Sequence, residues 1–194
     1  MAARVGTTAR GRDRRERLLN ACAELVATSG FHAVGIIDIG AAAGVSGSAL
    51  YRHFRTKTEL LVALLDRVVD GLLEGSEQAL KDAATAEDAI DRLIRFHAAF
   101  ALRDRKLIAV WSQERRLLPE DDQRRLRRKQ RQYVTRWADA LRAVRPEMEV
   151  GDAVSRVQAT FGLLNSASEF PGQLAAEGFE STLRRMAHAA LMAA

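Results

Sequence analysis

Apolar positions recur at helical spacing along almost the whole chain. Leu18, Leu19, Cys22, Leu25 and Val26 define a first helix from Asp13 to Ser29, ended by Gly30. Leu60, Leu61, Leu64, Leu65, Val68, Val69, Leu72 and Leu73 repeat at i, i+1, i+4 and i+5, which predicts one long helix with a broad apolar side. Thr56-Lys57-Thr58-Glu59 has the form of a capping box at its start. Thr85, followed by Glu87 and Asp88, caps the next helix, whose inner face is Ile90, Leu93, Ile94, His97 and Phe100. After a turn at 102–104, Leu107, Ile108, Val110 and Trp111 make a shorter helix that reaches Leu117. Pro119 reads as the first residue of a helix with acids in its first turn, running to about Ala143 and stopped by Pro146. Two further helices follow, Val150 to Glu169, broken by Pro171-Gly172, and Phe179 to Met192. The chain is thus expected to be all-α.

One interval departs from this run of long helices. A short apolar helix, Ile37 to Ala43, meets Gly44, and three residues later a second begins, Gly47 to His53. Two short helices joined by a glycine-containing turn form a helix-turn-helix, which sets its second helix in the DNA major groove. Gly44 can take the left-handed conformation, Val45 can bury between the helices, and Ser46 can cap the second one. Leu50 and Phe54 pack down with Ala49, while Gly47, Ser48, Tyr51 and Arg52 stay on the other side. Small residues, hydroxyls and one arginine let a backbone approach DNA closely while donors reach bases or phosphates. The candidate DNA-binding set is Arg12, Ser46, Gly47, Ser48, Ala49, Tyr51, Arg52, His53 and Lys57. Ahead of it, Met1 to Gly11 reads as an irregular basic arm, for the minor groove or phosphates, or for solubility alone.

Charge supports that placement. The net charge is +5, and residues 1–60 hold nine Lys/Arg against five Asp/Glu, so the positive field gathers at the helix-turn-helix end. Hydrophobic residues make up 47%, enough for a core, and no apolar run approaches a membrane span. The single cysteine, Cys22, excludes an intrachain disulfide and suits a reducing cytoplasm. A nucleophile–base pair, a glycine-rich phosphate loop and a metal-ligand cluster are all missing from the pattern, so neither an enzyme, a cofactor nor a metal is expected.

The residues Ala43, Gly44, Val45, Ser46, Leu50, Tyr51, His53, Phe54 and Lys57, at these spacings, resemble the DNA-binding domain of TetR-type (tetracycline-repressor-like) regulators. The likeness covers roughly residues 13–65 as motif and the rest as helical layout. It implies an N-terminal three-helix helix-turn-helix domain with its arm over 1–57, and a C-terminal effector-binding and dimerisation domain over 58–194. Lys57 would contact a phosphate. Val34, Gly35 and Ile37 depart from the family's usual Thr/Ser, Thr/Ser and Arg, which removes side-chain phosphate contacts from the helix before the turn.

In the body, the resemblance implies a small-molecule effector, a homodimer and a double-stranded DNA operator as partners. Phe96, Phe100, Trp111, Gln113, Tyr133, Trp137, Phe161 and Asn165 are the candidate effector pocket, though plain core packing would explain any one of the aromatics. Val157, Phe161, Leu164, Leu183, Met186, Ala187 and Ala190 are the candidate dimer interface. The run from Trp111 to Pro119 and the basic helix after it are similar to a subgroup whose effectors are acyl-CoA thioesters. Arg115, Arg124, Arg128 or Arg131 would then meet CoA phosphates, or the basic run is a solvated face. A helix-turn-helix protein with a filled body, controlled by a protein partner, is the competing expectation.

Overall fold

A computed structural model describes residues 9–169 and 178–193. Its helices are α1 (Ala9–Ser29), α2 (Ile36–Ala42), α3 (Gly47–Tyr51), α4 (Lys57–Lys81), α5 (Ala86–Arg103), α6 (Arg105–Glu114), α7 (Glu120–Val144), α8 (Val150–Asn165) and α9 (Phe179–Met192). Short 3₁₀ turns, Arg115–Leu117 and Ser166–Ser168, extend α6 and α8. Among the described residues there is no strand, so the fold is all-α. The arm up to residue 8 and the Pro171-Gly172 break lie outside the described residues.

Local chemistry sets the helix ends. Gly30 (φ +78°) and Gly44 (φ +62°) stop their helices in the left-handed region. Thr56 and Thr85 each accept the amide of the residue three ahead, at 3.0 and 3.1 Å. The first helix begins at Ala9 rather than Asp13, so Arg12 belongs to a helix and not to an arm. Pro119 is the cap of α7 rather than its first helical residue, and the last turn of the predicted 150–169 helix tightens into 3₁₀ geometry.

Two apolar clusters result. The first joins Leu18, Leu19, Cys22 and Val26 of α1, Ile39 of α2, Leu50 of α3, and Leu60, Leu61, Leu64 and Leu65 of α4. The second joins α5, α7, α8 and α9 through Leu93, Trp137, Leu141, Val157, Leu164 and Leu183. Fully burying each such leucine contributes about 1.5–3 kcal/mol. The long helix α4 belongs to both clusters. So does α6: its Val110 is in the first, Ile108 in the second, and Leu107 packs against both.

Candidate functional site

The α2–turn–α3 unit is held by short-range bonds. Val45 donates its amide to the Gly40 carbonyl at 2.8 Å, and Ser46 Oγ accepts the Ala49 amide at 3.4 Å. Gly40 has no room for a side chain: a Cβ there would lie 3.0 Å from the Val45 carbonyl and 3.3 Å from Leu50. Glycine therefore lets the two helices close. On the outer side, Ser46, Gly47, Ser48, Tyr51 and Arg52 are exposed, Tyr51 by 52%. Cations gather around them. Burial first, then Arg14, Arg15 and Arg52, hold His53 below its ordinary imidazole range. Arg15 also lies 5.2 Å from the Phe54 ring centre. Cations of α1 and of the α3 C-cap thus converge beside an exposed small-residue helix, a positive surface of the kind that attracts phosphates.

The body contains an apolar cavity of about 50 Å³ lined by Val68, Val69 and Leu72 of α4, His97 and Phe100 of α5, Ile108 and Trp111 of α6, Gln130 and Tyr133 of α7, and Phe161 and Asn165 of α8. Its polar wall is a chain of three side chains. His97 Nδ1 lies 2.9 Å from the Tyr133 hydroxyl, and Nε2 lies 3.0 Å from Asn165 Oδ1. Because Asn165 presents an oxygen, Nε2 carries the proton, Nδ1 accepts, and Tyr133 donates. Burial pushes His97 down to about 4, so it stays neutral, and pushes the Tyr133 phenol up. Next to the cavity lies an open groove of about 480 Å³ lined by Arg115, Arg116, Gln123, Leu126 and Arg127. Trp111 and Gln130 line both.

Two family models match this chain. Residues 18–64 fit bacterial regulatory proteins of the tetR family, and residues 83–169 fit the tetracyclin repressor-like C-terminal domain. The chain belongs to the TetR family. The transcriptional activator FasR of Mycolicibacterium smegmatis is 46% identical over 69 residues, which are 36% of this chain and 32% of FasR. The fatty acid metabolism regulator protein of Bacillus subtilis is 27% identical over 100 residues, 52% of each chain. This chain thus matches a third of one relative and half of the other. A TetR-family regulator from Bordetella parapertussis superposes with a TM-score of 0.82 at 24% identity, over 92% of this chain and 94% of that one. AibR, solved with isovaleryl coenzyme A and operator DNA, superposes at 0.73 with 16% identity, over 90% and 96%. Both superpositions establish the fold.

Within this TetR-family chain, several expected site residues stand elsewhere. Ala49 is buried against the first cluster, because it lies on the same side of α3 as Leu50. Lys57 does not extend freely toward solvent. Its ammonium donates to the carbonyls of Phe31 (2.6 Å) and Val34 (2.8 Å) and sits 4.2 Å from the Phe31 ring centre. It fastens the α1–α2 turn, which leaves one N–H for any phosphate. Ile37, by contrast, is 73% exposed on the first turn of α2.

Of the expected pocket, Phe100, Trp111, Tyr133, Phe161 and Asn165 line the cavity, and Phe96, Gln113 and Trp137 do not. Gln113 is exposed, because α6 turns its neighbour Glu114 inward to accept the Phe31 amide at 2.9 Å. Phe96 packs over Gly75, where a Cβ would lie 2.0 Å from its ring. Trp137 is fully buried behind Phe161, ring centres 5.0 Å apart. Val68, Val69, Leu72, His97, Ile108 and Gln130 line the cavity without having been in the expected set. For α4 the missed signal was that its apolar side continues past the first cluster.

Five of the expected dimer residues, Val157, Phe161, Leu164, Leu183 and Ala187, are buried within the chain's own core and cannot also face a second subunit. They point inward because they share a helical face with Ala153, Thr160 and Leu191. Met186 is 50% exposed and Ala190 partly so. The outward side of α8 carries Ser155, Ala159 and Gly162 instead.

The basic run of α7 also divides. Arg125 and Lys129 bind Asp66 of α4, and Lys129 reaches Asp70 at 2.6 Å. Burial pushes the Asp66 carboxyl up, but the bonds from Arg125 and Lys129 outweigh this and leave it below its ordinary range. Arg124 pairs with Glu120 and Asp121. Arg127 faces the groove, while Arg128 and Arg131 are exposed on the outer side.

Proposed function

We propose that this TetR-family regulator is a homodimeric repressor that binds palindromic operator DNA and leaves it when an acyl-CoA thioester enters the body. The single observation that carries the effector class is the meeting of an apolar cavity and an arginine-lined groove at Trp111 and Gln130. An acyl chain suits the first, and the phosphates of CoA suit Arg115, Arg116 and Arg127. The names of the Bacillus subtilis relative and of the AibR complex point to the same chemistry in those proteins. On the DNA side, Ser46, Gly47, Ser48, Tyr51 and Arg52 enter the major groove, and Arg12, Arg14 and Arg15 approach phosphates. Two heads read two half-sites, joined through the outward faces of α8 and α9 around Ser155, Ala159, Gly162, Met186 and Ala190.

Coupling runs through α6. Ile108 and Trp111 line the cavity, while Val110 and Glu114 hold the DNA-binding end. An effector that opens the cavity moves the element that grips α1 and the Phe31 turn. It shifts operator affinity only as far as it prefers that moved state.

The cavity is too small for an acyl chain without such opening. That size favours one second reading, a filled body whose basic groove receives a protein partner. Calorimetric titration with dodecanoyl-CoA, dodecanoate and CoA separates the two. Dodecanoyl-CoA binds at least about tenfold tighter than either half, and exchanging Arg115, Arg116 and Arg127 for Gln removes that margin. If dodecanoyl-CoA gives no binding heat at any temperature, the partner reading replaces this one.

A further inference from the structure

The polar wall of the cavity has no part in holding an acyl chain, and its composition is lopsided. Tyr133, His97 and Asn165 use one another's groups in a single direction, from the Tyr133 hydroxyl through the imidazole to Asn165 Oδ1. That leaves the Asn165 Nδ2 donors without a protein partner among the described residues. The Gln130 amide beside them makes no hydrogen bond among the described residues. Just behind the wall, Trp137 Nε1 is buried with no hydrogen-bond partner among the described residues. A hydrocarbon inserted here would strip these donors of water and leave them unpaired, so an inserted acceptor is preferred. The acceptor must also be uncharged. Nothing cationic lines the cavity, His97 is neutral, and a lone carboxylate there would lose its hydration without a counter-charge.

Resting on the acyl-CoA reading above, we infer that the inserted end of the effector carries a neutral accepting oxygen, a ketone above all, which Asn165 Nδ2 binds and which His97 and Tyr133 hold in register. Asn165, His97 and Tyr133 line the cavity and not the groove, so they meet the inserted end and not the head group. Gln130, at the mouth, is placed for the thioester carbonyl. Asn165 is therefore the specificity-determining residue, and His97 and Tyr133 are positioning residues that fix its amide. A plain hydrocarbon end leaves the donors unfilled and binds more weakly.

The test compares dodecanoyl-CoA with two analogues of equal length, one with a ketone and one with a hydroxyl on the penultimate carbon. Affinity is read by calorimetry on the full chain. The ketone analogue should bind on the order of tenfold tighter than the saturated one. Asn165→Leu, and the isosteric Asn165→Asp should the first variant fold poorly, should erase that preference, bringing the ratio of the ketone and saturated affinities to about one. Equal affinity of ketone and saturated chains in the wild type overturns the inference and leaves the acyl-CoA reading standing. A preference for the hydroxyl alone overturns it too, because the wall would then be offering an acceptor. Methyl hexyl ketone against octane, followed by tryptophan fluorescence, tests the cavity without CoA. A preference for the ketone there supports the inference even if no thioester binds, and no preference contradicts it.

Discussion

At the scale of the residue, position within a helix decides what each polar group does. Lys57 and Glu114 are ordinary surface residue types, yet both are spent on the Phe31 turn, one on its carbonyl and the other on its amide. Cys22, which burial pushes up to about 12, is an inert core thiol for the same reason of placement. His97 gives this scale its pH prediction. The unfolded imidazole titrates near 6.5 and the folded one near 4. Between those values the unfolded chain binds more protons, so this contribution is complete above pH 6.5 and is lost as pH falls toward 4. Its full size is about 3 kcal/mol at most. Urea unfolding across that window should show a steeper acid loss in the wild type than in His97→Gln, and parallel curves would contradict the assignment.

At the scale of the element, α4 carries two glycines four residues apart with opposite surroundings. A Cβ on Gly71 meets nothing within 4 Å, whereas one on Gly75 runs into the Phe96 ring at 2.0 Å. Gly71→Ala should therefore stabilise the fold by about 0.5–1 kcal/mol through helix propensity. Gly75→Ala should destabilise it by about 1–3 kcal/mol through overpacking. Thermal melts of the two variants decide this, and shifts of the same sign would refute the packing of α4 on α5. The link from α6 to the head makes a further prediction. Glu114→Ala strands the buried Phe31 amide and should cost about 1–3 kcal/mol. In the same variant, effector binding should persist with a weakened effect on operator affinity. The sequence disclosed elements better than faces. Ser46, Val45 and Gly44 were legible because turn chemistry is local, and α4 because its leucines repeat without interruption. Gln113 was misplaced because ordinary helical spacing from Val110 brings Glu114, four residues on, to the inner face, and a carboxylate there gives no apolar signal in the sequence. The α8 residues were misread because both its faces are free of charge over much of their length. Val157 and Leu164 then look no more inward than Ala159 and Gly162 look outward. His97 was visible as a polar residue at core spacing, but its partners, 36 and 68 residues away, were not.

At the scale of the whole molecule, the two clusters joined by α4 and α6 place the helix-turn-helix at one end and the cavity between α4, α5, α6, α7 and α8. In the dimer proposed above, the exposed stripe of small residues on α8 would let a second α8 approach closely, and the half-exposed Met186 of α9 would supply the apolar contact. Ala159→Arg together with Met186→Glu should halve the mass seen by light scattering while leaving the helical signal intact. An unchanged mass would move the subunit contact elsewhere. The measurement that tests the central claim most directly is fluorescence anisotropy of a labelled duplex from the gene's own upstream region, titrated with the protein alone and with saturating dodecanoyl-CoA and its ketone analogue. The account predicts tight, salt-dependent binding that weakens by about 5–150-fold with the thioester, more at equal concentration with the ketone form. It also predicts no change with CoA alone. Operator binding that no thioester alters would contradict it.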